Sequence, residues 1–138
     1  MNNIVYKELK TIDKDQLFKL YDDNQWGAYT RDVDSLQRAV ENSFYVRTAW
    51  IDDELIALIR IVGDGEHIMY VQDILVLTAY HRKGIGTALM KYVLEKFMYI
   101  RQKTLLTGTT EKQKKFYESL GFKDTKDMDC VAFIRHDI

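Results

Sequence analysis

The residues that could do chemistry gather in one short stretch. His81-Arg82-Lys83-Gly84-Ile85-Gly86-Thr87 follows an apolar, strand-like run and opens a segment with Ile85, Leu89, Val93 and Phe97 at four-residue steps. Amides at a helix start lack intrahelical partners and point outward. The helix dipole adds partial positive charge there, and glycine lets an anion approach the main chain. Arg82 and Lys83 add full charges beside it. Such a turn suits phosphate or pyrophosphate. An ordinary strand-to-helix turn could share this composition. Two other nucleotide motifs do not fit. A Walker loop needs Gly-Lys followed by Ser or Thr, whereas Thr87 follows Gly86 directly. A dinucleotide fingerprint needs a third glycine within a parallel βαβ unit. That glycine is missing, and the preceding strands read as antiparallel.

The elements that must position this turn are legible in the hydrophobic periodicity. Residues 4–9 read as a first strand. Leu17, Leu20 and Tyr21 sit at helical spacing after Asp13, a cap residue. Residues 22–31 form a polar and aromatic loop with Trp26, Gly27 and Tyr29. Asp32 caps a second helix with the stripe Val33, Leu36 and Val40. Residues 45–51, 55–62 and 67–77 read as three strands joined by the turns Asp52-Asp53 and Gly63-Asp64-Gly65, an antiparallel meander. Residues 104–107 make a short strand. Thr110-Glu111-Lys112-Gln113 fits a capping box opening a helix that Gly121 stops. Residues 131–134 read as a last strand.

The run His81-Arg82-Lys83-Gly84-Ile85-Gly86 resembles the acetyl-CoA-binding turn of the GNAT superfamily of N-acetyltransferases: Gln or Arg, two residues, Gly, one residue, then Gly or Ala. Phe116-Tyr117-Glu118-Ser119-Leu120-Gly121-Phe122 is similar to that family's later helix and its Tyr…Gly-Phe ending. The order of elements resembles the family over essentially the whole chain. Three positions depart from the pattern: His81 stands for Gln or Arg, Thr78 for a frequent proline, and Thr110 for a frequent asparagine. The resemblance implies an α/β (α+β) fold in a single domain, residues 1–138. Its mixed, mostly antiparallel central sheet would have six to seven strands, flanked by about four helices. It also implies an acetyl-CoA-dependent N-acetyltransferase, and homodimers are common in the family.

Acetyl transfer to an amine requires a held thioester, a stabilised carbonyl oxygen, a neutral amine and a proton for the departing thiolate. By resemblance, main-chain groups of Leu75, Val76 and Leu77 serve the pantetheine arm and the acetyl oxygen. Arg82, Lys83, Gly84, Ile85, Gly86 and Thr87 grip the pyrophosphate, and Thr110 takes the place of an asparagine contact. Tyr117 matches the tyrosine near the CoA sulfur, and a phenol is a reasonable proton donor. Packing on an amphipathic helix would also explain it. Asp73, mid-strand, could take the amine's proton directly or through water; Glu66 and His67 lie further back, and a water path needing no single base is equally compatible. Trp26 and Tyr29, joined by Tyr45 and Arg60, form the expected substrate side, since aromatic faces attract ammonium groups.

Composition narrows the classes. The chain has 138 residues, 46% apolar and 30% charged, with a net charge of -1. A nucleic-acid binder usually shows a basic domain or stripe, so nucleic acid is set aside, as is a membrane surface. No apolar run approaches the roughly 20 residues of a membrane helix. The start, Met1-Asn2-Asn3-Ile4, lacks a signal-peptide pattern. One cysteine, Cys130, permits no internal disulfide, which fits a cytoplasmic protein; it reads as a small core residue. The three histidines lack metal-ligand spacing, so no metal is expected. Lys112, Lys114 and Lys115 read as a solvated helix face. The expected acceptor is a small-molecule amine: an amino acid, polyamine or amine drug. A protein lysine or N-terminus, or a non-catalytic CoA-binding sensor, are the alternatives.

Overall fold

The computed structural model describes residues 3–138; Met1 and Asn2, read above for a leader, lie outside them. The chain divides into two compact units, one ending at Leu106 and one running from Thr107 to Ile138.

The first unit is built on a sheet of five strands in chain order: β1 (Val5–Glu8), β2 (Tyr45–Ile51), β3 (Glu54–Gly63), β4 (Ile68–Val76) and β5 (Gln102–Leu105). The first four are antiparallel neighbours, and β5 runs parallel to β4. A parallel partner needs a crossover. Helix α4 (Ile85–Lys96) supplies it, with Ile85, Leu89, Met90 and Val93 buried. β3 is the centre: every residue from Leu55 to Ile61 is buried. A strand covered on both faces reads as a continuous apolar run, which is how ELIALIRIVG reads.

Helices α1 (Lys14–Asp23), α2 (Gly27–Thr30) and α3 (Val33–Glu41) connect β1 to β2. Asp13 caps α1 by accepting from the amides of Asp15 and Gln16, and Asp32 caps α3 through the Ser35 amide. Strand register shows the faces they cover. Directly paired residues lie on one face of a sheet. Tyr45 pairs with Ile61, whereas Val46 pairs with Arg60 and Arg60 with Asp73. Tyr45 meets Phe97 at the end of α4, at 5.0 Å between ring centroids. Asp73 meets Tyr21 of α1. So α1 and α4 cover opposite faces.

The second unit holds α5 (Glu111–Ser119) and a 3-10 turn, Thr125–Met128. Thr110 and Gln113 form the reciprocal capping box. The helix ends as a Schellman motif: the Gly121 amide reaches the Glu118 carbonyl and the Phe122 amide the Tyr117 carbonyl. Gly121 has φ +93°, the left-handed conformation this ending requires.

Four expectations change. The sheet has five strands among the described residues, not six to seven. Residues 131–134 form no strand; Val131, Phe133 and Ile134 are exposed, and their unit holds no strand whose edge they could join. The loop 22–31 contains one helical turn, α2, which brings the helices among the described residues to five. Cys130 is exposed rather than in the core. No helix among the described residues is long and apolar enough to cross a membrane.

The β3–β4 turn supports one prediction. One Asp64 carboxylate oxygen accepts from the amides of Glu66, His67 and Ile68 at 2.8, 2.8 and 3.1 Å. These bonds favour the charged form and lower its pKa from 3.8 to about 2. A depressed folded-state value means the stabilisation is complete above the unfolded pKa and is lost as pH falls through about 2. A carboxyl NMR titration should find Asp64 half-protonated near pH 2. The stability gap between wild type and Asp64→Asn should close over the same descent.

Candidate active site

The glycine turn lies where β4 hands over to α4. Thr78–Tyr80 makes a 3-10 turn, His81 is extended, and Arg82 and Gly84 have φ +64° and +78°. Gly84 is the helix N-cap and brings no capping side chain. The first helical bond runs from the Ala88 amide to the Gly84 carbonyl. The amides of Ile85, Gly86 and Thr87 therefore have no helical partner. A Cβ built on Gly84 or Gly86 would meet nothing within 4 Å. The space before these amides is open, as an anion cradle requires. Arg82 and Lys83 are exposed beside it.

β4 opens toward the same point. Its ladder with β5 covers only Ile68 to Val71. From Gln72 onward, no strand among the described residues lies beside that edge. The Leu77 amide donates to the Ile56 carbonyl at 2.8 Å, so it belongs to the ladder with β3. Alternation along a strand gives Leu75 the same direction and turns Val76 and Ile74 toward the uncovered edge. Of Leu75, Val76 and Leu77, only Val76 presents its amide to the opening. The Val76 carbonyl is taken, accepting from Asn24 Nδ2 at 3.2 Å and from His81 Nε2 at 2.7 Å. His81 thus braces the turn through its ring. Asp23 adds a second brace by accepting from the amide and hydroxyl of Thr78.

A bulge in β4 decides where Asp73 points. Arg60 pairs with Asp73 and Ile61 with Val71, so Gln72 has no partner in β3. The extra residue switches the faces: Val71 lies on the α4 side with Ile61, and Asp73 on the α1 side with Arg60. Asp73 is 1% exposed. Its Oδ2 accepts from Arg60 Nε at 2.6 Å and from the Tyr21 hydroxyl at 2.8 Å. Its Oδ1 is buried without a hydrogen-bond partner. Arg60 Nη1 also reaches Ser43 Oγ at 3.4 Å. Burial first, then the adjacent carboxylate, push the Tyr21 hydroxyl well above its usual range. A carboxylate so enclosed has no direct path to an amine arriving from solvent.

Of the four residues expected on the substrate side, two lie together. Trp26 and Tyr29 stack at 5.9 Å, and Tyr21 meets Tyr29 edge-on at 5.3 Å. Exposed Gln72 donates to the Tyr29 hydroxyl at 2.7 Å. Arg60 and Tyr45 do not join this group. Arg60 is 6% exposed and paired to Asp73. Tyr45 faces α4 and donates to Glu8. Sequence reasoning missed Tyr21, Asn24, Asp23 and Gln72, whose contacts span 43 to 55 positions or arise from the bulge, and no local spacing announces them.

In the second unit, Tyr117 packs edge-on against Phe116 at 4.9 Å and Phe122 at 6.0 Å. Burial raises its pKa, with Thr107 acting in the opposite direction. The Thr110 hydroxyl is committed to capping α5.

An uncapped, glycine-lined helix start follows a strand whose last residues have no parallel neighbour, an arrangement suited to an anion. The acetyltransferase (GNAT) domain family matches residues 8–137, and the chain belongs to that family. Among solved structures, a GNAT-family acetyltransferase from Streptococcus pneumoniae TIGR4 is 34% identical over 98% of both chains, with a TM-score of 0.86. A Staphylococcus aureus protein of unknown function is 19% identical, covering 99% of this chain and 100% of its own, with a TM-score of 0.75. An aminoglycoside acetyltransferase from an uncultured soil sample, solved with sisomicin, shares the fold at 15% identity and a TM-score of 0.66, covering 98% and 94%. A search of proteins with curated functions finds no match.

Proposed function

We propose that this protein transfers the acetyl group of acetyl-CoA to a primary amine of a small molecule in the cytoplasm, its two units acting as one domain. The observation that carries this is the convergence of free amides at Ile85, Gly86 and Thr87 with the uncovered edge of β4 at Val76. One favours a pyrophosphate and the other an extended, amide-bearing arm. The aminoglycoside acetyltransferase that shares the fold was solved with sisomicin, a small molecule.

The residues would divide the work as follows. The amides of Ile85, Gly86 and Thr87, with Arg82 and Lys83, hold the diphosphate. The Val76 amide orients the acyl end and can donate to its carbonyl oxygen. Acetyl-CoA supplies the activated acyl group. Tyr117 donates the proton that the departing thiolate needs. Trp26 and Tyr29 face the acceptor, and their π faces favour a cation.

The test is thermal protection by CoA combined with thiol release from acetyl-CoA on panels of small amines and of peptides. Protection with turnover on a small amine supports the reading. Turnover on peptides alone moves it to protein acetylation, and protection without turnover moves it to a CoA sensor. Tyr117→Phe should lower kcat by about 100-fold or more without changing CoA binding, following the usual contribution of a general acid. Full activity in that variant removes the acid.

A further inference from the structure

The open side of β4 is blocked at its end by the protein itself. The Leu77 amide points into the ladder with β3. The N–H and C=O of one trans peptide point opposite ways, so the Val76 carbonyl, in the same peptide, points out at the uncovered edge. A carbonyl oxygen has two lone pairs. Both are in use: Asn24 Nδ2 donates at 3.2 Å, and His81 Nε2 lies at 2.7 Å. A carbonyl only accepts, so Nε2 carries the ring proton.

The two donors are held differently. Asn24 is half-buried at the end of α1 and also donates to the Leu20 carbonyl at 3.0 Å. Pulled from Val76, its second N–H would lose a partner where water reaches it poorly. His81 is exposed and lies in extended backbone past the 3-10 turn. Its ring can turn outward and exchange the carbonyl for water at little net cost. An extended, amide-bearing arm beside a strand edge both donates and accepts. At Val76 it meets an amide ready to donate and a carbonyl with no lone pair to spare.

We infer that the His81 ring is a plug on the Val76 carbonyl, and that the arm of the co-substrate displaces it. An N–H of the arm takes the lone pair that Nε2 leaves, while Asn24 keeps the other. This rests on the acetyl-CoA reading above. The free protein thus closes the acyl end of its own groove, and His81 sets part of the affinity.

Calorimetric titration of the full chain tests this with CoA and with ADP, which has a diphosphate but no arm. His81→Ala removes a bond that binding must break, so CoA should bind about 2- to 10-fold more tightly, the net worth of one hydrogen bond. His81→Phe, a ring without a donor, should do the same. His81→Gln, whose side-chain amide can donate, should stay closer to wild type. ADP should gain nothing from His81→Ala. Nitrogen-resolved NMR of the imidazole rings, with only three histidines to assign, should show the His81 Nε2–H protected from exchange in the free protein and exposed once CoA is added. CoA affinity that is unchanged or falls in His81→Ala overturns the inference, a fall making the ring a brace instead. So does an Nε2–H equally protected with and without CoA, or a tightening that ADP shares. Absence of CoA binding in wild type and variants alike would instead remove the co-substrate assignment beneath it.

Discussion

Replacing Gly86 with aspartate should weaken CoA binding by about 100-fold or more while leaving the protein as stable as before, or slightly more so. The two effects separate because the same position is treated differently by the fold and by the ligand. Gly86 sits in the first turn of α4, and a Cβ there meets nothing. Aspartate in a first helical turn complements the dipole by about 0.3–1 kcal/mol, and any residue but proline is a better helix former than glycine. Toward a pyrophosphate the signs reverse. A carboxylate roughly 4 Å from a phosphate charge costs about 4 kcal/mol at the effective dielectric of a protein surface. Less than 3 kcal/mol would already account for about 100-fold. Calorimetric titration with CoA and a thermal melt, run side by side, check both halves. CoA affinity unchanged in the variant would remove the cradle, whatever the melt shows.

The second large effect is on stability. Arg60→Met should destabilise the protein by about 3–5 kcal/mol, because it leaves the Asp73 carboxylate buried without its cation. The pair itself is a different matter. Taking both ions out of water costs several kcal/mol each, so their attraction adds little net stability. Arg60→Met combined with Asp73→Leu should therefore recover most of the loss, as urea midpoints of the single and double variants would show. A single variant as stable as wild type would mean that the cation is not needed to keep Asp73 buried. Together with Tyr21, Arg60 fixes the Asp73 carboxylate between β3 and α1.

Much of this architecture was legible along the chain. The meander of β2, β3 and β4 follows from apolar runs broken at Asp52-Asp53 and Gly63-Asp64-Gly65. The caps at Asp13, Asp32 and Thr110 are side-chain effects that act within three residues, and all three formed. The glycine turn announced itself for the same reason, since Gly84, Gly86 and the helix after them are adjacent in sequence. The strand expected over residues 131–134 did not form, because an apolar, β-branched segment becomes a strand only where an edge receives it.

Local forces set the helices, the turns and the uncapped glycine start of α4, and these could be read from residue types and short spacings. The partners of Asp73 could not, because they come from two other elements, α1 and β3, and depend on a one-residue bulge whose only trace in the sequence is a glutamine. Alternation alone would place Asp73 on the same face as Val71, under α4. Register with β3 moves it beneath Tyr21 instead, and so gives its carboxylate Tyr21 and Arg60 as partners. Facing is decided by pairing across strands, a long-range property that no window of the chain contains.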